Sequence, residues 1–252
     1  MIDSHCHVDL YAKPTDVAAE AQRAGVLTVA VTNLPSAFDR SYPHALRFSN
    51  LRLALGLHPL LAAKHGPELR RFEELVDKTS YIGEVGLDFG PDAPSRDLQI
   101  ASLRFVLRLV IGKRKFITLH SRKAEAKVLE LLAEAGDPPA VFHWFSGSAA
   151  LAEEVASRGH FFSINPAMIR TQAGKRLLSA VPPSRVLTET DGPFVRIGAR
   201  VCSPPDVAVV ERELAERWGV SYEGARAIVR RNFMGLVRRQ EPTPVSAPPT
   251  AL

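Results

Sequence analysis

The chain reads as an α/β protein, a (β/α)8 TIM barrel, and three observations predict it. Short apolar, β-rich runs recur eight times within 252 residues. Amphipathic, helix-like stretches lie between them, and that alternation in a chain of this length is the order of a parallel sheet closed on itself. No GxGxxG turn follows the first strand, which weakens the alternative of a doubly wound, nucleotide-binding open sheet.

The elements follow in order. Met1–His7 has an apolar lead-in, and in extended backbone His5 and His7 share one side while Ser4, Cys6 and Val8 take the other. A helical pattern covers Asp16–Ala24, and the β-rich run Leu27–Thr32 supplies strand two. Leu51–Leu57 is the third strand, followed by a helix at Pro67–Lys78. Tyr81–Gly86, Phe116–His120, Ala140–His143 and Phe161–Ile164 are strands four to seven in turn, then eight if the last run, Arg185–Glu189, is added to them. Helical stretches at Asp97–Gly112, Lys123–Glu134, Ala149–Arg158 and Thr171–Ala180 separate these runs, and Pro205–Arg217 and Ser221–Val237 read as two terminal helices. One domain over residues 1–237 results. Residues 238–252, with the Pro-rich run Gln240–Leu252, are expected to form a disordered tail.

Composition narrows the classes. With 46% hydrophobic and 23% charged residues the chain can fill a core. No run approaches a membrane span and no secretory pattern opens the chain, so no membrane partner is expected. Two cysteines far apart form no disulfide framework, which makes a reducing cytoplasm the expected compartment. A net charge of +5 is compatible with a polyanionic partner without requiring one.

Polar residues at the strand ends carry the functional signal. His5 and His7 end the first strand, His58 follows the third in LGLHP, and Glu84 lies in IGEVGLD on the fourth. His120 ends the fifth in LHSR, His143 the sixth in HWFSG, and Glu189 and Asp191 the last in TETDGPF. Carboxyl ends of barrel strands converge on one mouth, so five of the 8 histidines meet at least two carboxylates there. Imidazole and carboxylate together suit zinc, manganese and related divalent ions, and a bridging carboxylate can hold two of them. The other histidines read differently: His44 as part of a helix start, His65 as a loop residue that could approach the mouth but is favoured on the surface, and His160 at the opposite face. Cys6 is expected to be small and buried, Cys202 to lie in a loop, and Lys113, Arg114 and Lys115 to form a solvated turn away from the mouth.

DSHCHVDL, LGLHP, IGEVGLD, LHSR, HWFSG and TETDGPF together resemble the TatD family of metal-dependent deoxyribonucleases, within the amidohydrolase-like metal-dependent hydrolase barrels. The resemblance runs from Met1 to about Val237. It implies that His5, His7, Glu84 and Asp191 hold one metal and that Glu84, His120 and His143 hold the other, with Glu84 bridging. His58 and Glu189 would serve an additional site or support the ligands. The ions would be two divalent metals, zinc, manganese or magnesium. The runs AVTNLPSAF, LHSRKA, FHWFSGS and INPAMI further resemble TatD-like nucleases of bacterial Qat-type anti-phage cassettes, which implies other cassette proteins as partners. The chain departs from the family pattern where Leu60 replaces a second histidine, where Gly192 replaces a serine, and in a short loop after Asp191 that lacks the RNxP element.

The resemblance implies hydrolysis of phosphodiester bonds by metal-activated water, with single-stranded DNA ends as the favoured substrate. Asp191 and Glu84 are the catalytic candidates, Asp191 to orient the water or accept its proton. Arg122 is a candidate to pair with phosphate; a solvent-facing arginine at a helix start is the equal alternative. Two rival functions stay open. One is a hydrolase of a small amide, lactone or phosphate ester, and the other a non-catalytic scaffold of a defence assembly, whose mark would be a lost ligand.

Overall fold

The computed structural model describes residues 1–237, so the expected tail at 238–252 lies outside the described residues. Strands β1 (Ile2–Cys6), β2 (Leu27–Ala30) and β3 (Leu51–Leu53) form one parallel sheet. Strands β4 (Leu55–Leu57), β5 (Tyr81–Gly86), β6 (Phe116–His120), β7 (Val141–His143), β8 (Phe161–Ile164) and β9 (Val186–Thr188) form a second in that order. The two sheets meet at both ends. Chain continuity through Ala54 joins β3 to β4, and Ala54 N still donates to Ala30 O at 2.8 Å. On the other side β9 meets β1: Thr188 Oγ1 donates to Ile2 O at 2.5 Å, and Asp191 N to His5 O at 2.9 Å. The α/β barrel expected from the sequence is the fold observed.

Helices α1 (Pro14–Arg23), α2 (Pro35–Ala45), α3 (His65–Leu75), α4 (Arg96–Val110), α5 (Glu125–Glu134), α6 (Ala149–Ser157) and α7 (Gln172–Ala180) alternate with the strands. Their apolar stripes explain the packing. In α4, Leu103, Val106, Leu107 and Val110 are buried at one-face spacing. Ser95, Ser148 and Thr171 cap α4, α6 and α7 by accepting an N–H from the first turn. The strands are covered on both faces, so they read as apolar runs without alternation: β7 and β8 are buried throughout. Phe116, Phe142 and Phe162 fill the interior on β6 to β8. Helices α8 (Val207–Trp218) and α9 (Tyr222–Val237) follow, and Asn232 on α9 donates to Pro183 O and Val186 O, both at 2.8 Å. Among the described residues no helix is long and apolar enough to cross a membrane.

Four expectations need correction. The third strand, read as one run, is broken at Ala54 into β3 and β4. A helix not anticipated, α2, carries His44 in its last turn and not at a helix start; Pro43 lies inside it, where proline ordinarily signals a break. His65 is buried, not on the surface, with Nδ1 2.8 Å from Ser102 Oγ and Nε2 3.0 Å from His58 O. The basic turn is only partly solvated: Lys115 Nζ donates to Val76 O at 2.8 Å and Thr79 O at 2.6 Å. Beyond these four, the loop after Asp191 folds into a hairpin of β10 (Arg196–Ile197) and β11 (Arg200–Val201).

Candidate metal centre

Five imidazoles surround one carboxylate. Glu84 Oε2 lies 3.1 Å from His7 Nε2, 3.2 Å from His58 Nε2 and 3.6 Å from His5 Nε2. Its other oxygen, Oε1, lies 2.6 Å from His120 Nδ1 and 3.2 Å from His143 Nε2. Asp191 Oδ1 closes the far side, 3.8 Å from His5 Nε2 and 3.7 Å from His7 Nε2. The rings of His5 and His143 stack at 3.9 Å and 9°. Glu84, at the centre, is thus within reach of residues from β1, β6, β7 and the turn after β4.

The backbone explains how these groups arrive. Glu84 N donates to Thr32 O at 3.1 Å and Thr32 N to Gly83 O at 3.2 Å, so the end of β2 holds β5 although β4 runs between them. Gly56 permits this: Thr32 O occupies the place a Cβ at Gly56 would take. Asp191 sits in left-handed backbone with φ of 49°, which turns its side chain toward β1 after the strand has ended.

A further layer holds three of the five rings. His5 Nδ1 is 2.8 Å from Thr118 Oγ1, and His120 Nε2 is 2.8 Å from Asp88 Oδ2. His143 Nδ1 faces Glu189 Oε1 at 3.4 Å. Glu189 in turn accepts from Asn165 Nδ2 at 3.0 Å, from Trp144 N at 3.3 Å and from Ser163 Oγ. The buried His65 accounts for His58, holding its carbonyl. Such outer partners set the tautomer and orientation of a ligating ring. Asp88, Thr118, Ser163, Asn165 and Trp144 were not singled out from the sequence. For two of them a signal existed: Asp88 ends IGEVGLD, and Thr118 stands two residues before His120, hence on the same strand face.

The donor set fits divalent cations. His5 Nε2 is buried without a hydrogen-bond partner, aimed between Glu84 and Asp191, and an orphaned buried nitrogen calls for a ligand. Three clusters place ligand atoms within 4.8 Å of one another: His5, His7 and Glu84; His5, His143 and Asp191; and His58, Glu84 and His120. The last brings His58 into the set beside His120, where the sequence had given it a supporting place.

Electrostatics agree. Burial opposes charge on Glu84, but His58, His120 and His143 outweigh it and hold its carboxyl well below the usual range. Burial likewise disfavours a charged His120, yet Glu84 and Asp88 raise its pKa to about 9. For His143 the same burial is overcome by Glu189 and Glu84, and its pKa rises well above the ordinary value. Protons on these imidazoles supply the positive charge that the carboxylates demand, as bound cations would. His5, buried and beside His143, falls to about 3 and is neutral, the form that ligates. Asp191 rises to about 7, through burial first and then the carboxylates of Glu189 and Glu84.

The centre opens into a cavity of about 630 Å³, lined at its rim by Arg122, Trp144, Phe194 and Leu60. The Arg122 side chain is 59% exposed, its Nη1 4.0 Å from Asp88 Oδ2. Gly192 has a steric reason: a Cβ there would collide with Tyr11 Oη and Cys202 O, which are hydrogen-bonded to each other. Cys6 is buried against Gly192 O, and Cys202 is buried too.

Comparison with known proteins agrees with the motifs. A family model described as "TatD related DNase" matches residues 2–238. Human deoxyribonuclease TATDN3 is 29% identical, over 94% of this chain and 94% of its own. The 3'-5' ssDNA/RNA exonuclease TatD of Cronobacter turicensis is 31% identical over 71% of this chain and 72% of its own. The crystal structure of YJJV, a TatD homologue from Escherichia coli, superposes with a TM-score of 0.85 at 27% identity, covering 94% of this chain and 97% of that one.

Proposed function

The chain belongs to the TatD family of metal-dependent hydrolases and deoxyribonucleases, and from that premise we propose that it uses two divalent ions to trim single-stranded DNA from its ends. The observation that carries the reading is the Glu84 carboxylate within 3.6 Å of the nitrogens of four imidazoles, His5 on β1, His7 just past it, His143 on β7 and His58 after β4, and hydrogen-bonded to a fifth, His120, on β6. His5, His7, Glu84 and Asp191 would hold one ion. Glu84, His58, His120 and His143 would hold the second. Bound there, such ions lower the pKa of water and offset charge on phosphate oxygens.

The side chains do the rest. Asp191, facing His5 and His7 across the centre, orients the attacking water and accepts its proton. Glu189 keeps the His143 ring in place, and Asp88 does the same for His120. Arg122, at the rim, faces the backbone phosphate of an entering strand. The recessed centre favours a chain end over the middle of a stiff duplex, and the exonuclease named among its relatives acts on single strands. The likeness to nucleases of Qat-type cassettes supports a role in anti-phage defence, with other cassette proteins as partners.

The test is an assay of purified protein, loaded with defined metals, on end-labelled single-stranded, duplex and covalently closed circular DNA, RNA and a small phosphodiester. Progressive shortening of the linear single strand, abolished by chelation, is expected. Asp191→Asn should reduce kcat far more than it changes KM. Rapid cleavage of closed circles would overturn end entry, and activity on the small ester alone would favour a small-molecule hydrolase.

A further inference from the structure

We propose that Trp144 and Phe194 form a base-stacking subsite at the rim of the metal centre, and that it admits unstacked nucleobases and excludes paired ones. The proposal rests on the nucleic-acid reading above and deepens it. Two aromatic residues stand among the large apolar side chains left exposed in the described chain, Trp144 at 39% and Phe194 at 59%. Both line the same cavity, the one that contains the metal centre. Leu60, 45% exposed, is there as well. An apolar rim around a centre of imidazoles and carboxylates has no use in activating water or holding ions. It is suited to a ligand whose reacting end is anionic and whose flanking groups are flat and apolar.

The geometry holds the rings in place. Trp144 has left-handed backbone, with φ of 40°, a conformation uncommon for bulky residues and found where a function fixes it. Its N–H is tied to Glu189, the residue that also faces His143, so the indole is carried by the same group that orients a ligand. The Trp144 and His143 rings are 6.5 Å apart, nearly perpendicular. Phe194 stands edge-on to His7 at 5.0 Å, and its N donates to Asp191 O at 2.9 Å. Trp144 thus directly follows His143 in the chain, and Phe194 lies three residues past Asp191 with its ring against His7. A base lying on either would bring its own backbone phosphate toward the ions, with Arg122 on the same rim to pair with the next. Stacking is indifferent to base identity, because every base has a π-face, so the subsite would select single strands without reading sequence. Paired bases, stacked on their neighbours, offer no free face.

The experiment compares two single strands of equal length, oligo-dT and the same backbone with abasic positions at its last residues. The metal-loaded wild type, Trp144→Ala, Trp144→Phe and Phe194→Ala are each assayed for kcat and KM. In the wild type the abasic end should raise KM by roughly tenfold or more for each lost stack. In the two alanine variants the ratio of KM values should collapse toward one, and Trp144→Phe should preserve most of it. Since Trp144 and Trp218 are the 2 tryptophans of the chain, a Trp218→Phe background isolates one fluorophore. Oligo-dT should quench it and the abasic strand should not. A wild-type ratio near one, or a ratio unchanged in the alanine variants, would overturn the proposal. If no strand is cleaved, the nuclease reading fails, and quenching by oligo-dT but not by abasic strand still decides the stacking subsite.

Discussion

Histidine has two opposite uses in this molecule, and burial alone does not separate them. His5 is buried in the centre and His160 is buried far from it, its two ring nitrogens without hydrogen-bond partners and Nε2 3.5 Å from Asp137 Oδ1. For the centre, Glu84→Gln removes the charge around which five imidazoles gather. Metal content measured by elemental analysis should fall to less than half of the wild-type value, while His160→Leu should retain it. For His160, burial lowers the pKa to about 4, below the ordinary 6.5. Below pH 6.5 the unfolded chain binds a proton that the folded chain refuses, so the contribution of His160 to stability falls as pH drops from about 6.5 to about 4 and is level on either side. The loss approaches on the order of 3 kcal/mol. Urea unfolding at both ends of that window should show the acid loss shrinking in His160→Leu. An equal loss in both proteins would remove His160 from the acid response.

At the level of elements, most of the barrel was legible because parallel strands covered on both faces must be apolar throughout. Runs such as FITLH and FFSI therefore announced themselves, and the polar residues ending them marked the mouth. What stayed hidden depends on contacts between elements. The break at Ala54 leaves no trace in an unbroken apolar run, and α2 was masked by Pro43. Ser163 and Asn165 acquire meaning only when β8 and the turn after it bring them to Glu189. Gly192 shows the same dependence: its missing side chain is explained by Tyr11, far away on the first loop. Restoring the serine usual in the family, Gly192→Ser, should destabilise the fold by about 1–3 kcal/mol through overpacking. Tyr11→Phe in the same chain should recover part of the loss, because the hydroxyl is the nearest obstacle; Cys202 O remains as the second. Denaturant midpoints of the two single variants and the double variant measure that coupling, and strict additivity would contradict the steric explanation.

For the whole molecule, the net charge of +5 sets a long-range term that the centre alone does not. Affinity for a single strand should fall between roughly 50 and 200 mM salt, and Arg122→Ala should lower the slope of log affinity against log salt by about one. A slope unchanged in that variant would take Arg122 off the phosphate path. The order in which the centre is assembled has a further consequence. Its side chains begin at His5 on the first strand and end at Asp191, past the last, where Asp191 N is bonded back to His5 O. During synthesis the early imidazoles emerge long before the carboxylate that completes them. A stalled or truncated chain ending ahead of Asp191 carries histidines in plenty and no finished centre. A site drawn from both the first strand and the segment past the last is therefore complete only when nearly the entire barrel has left the ribosome.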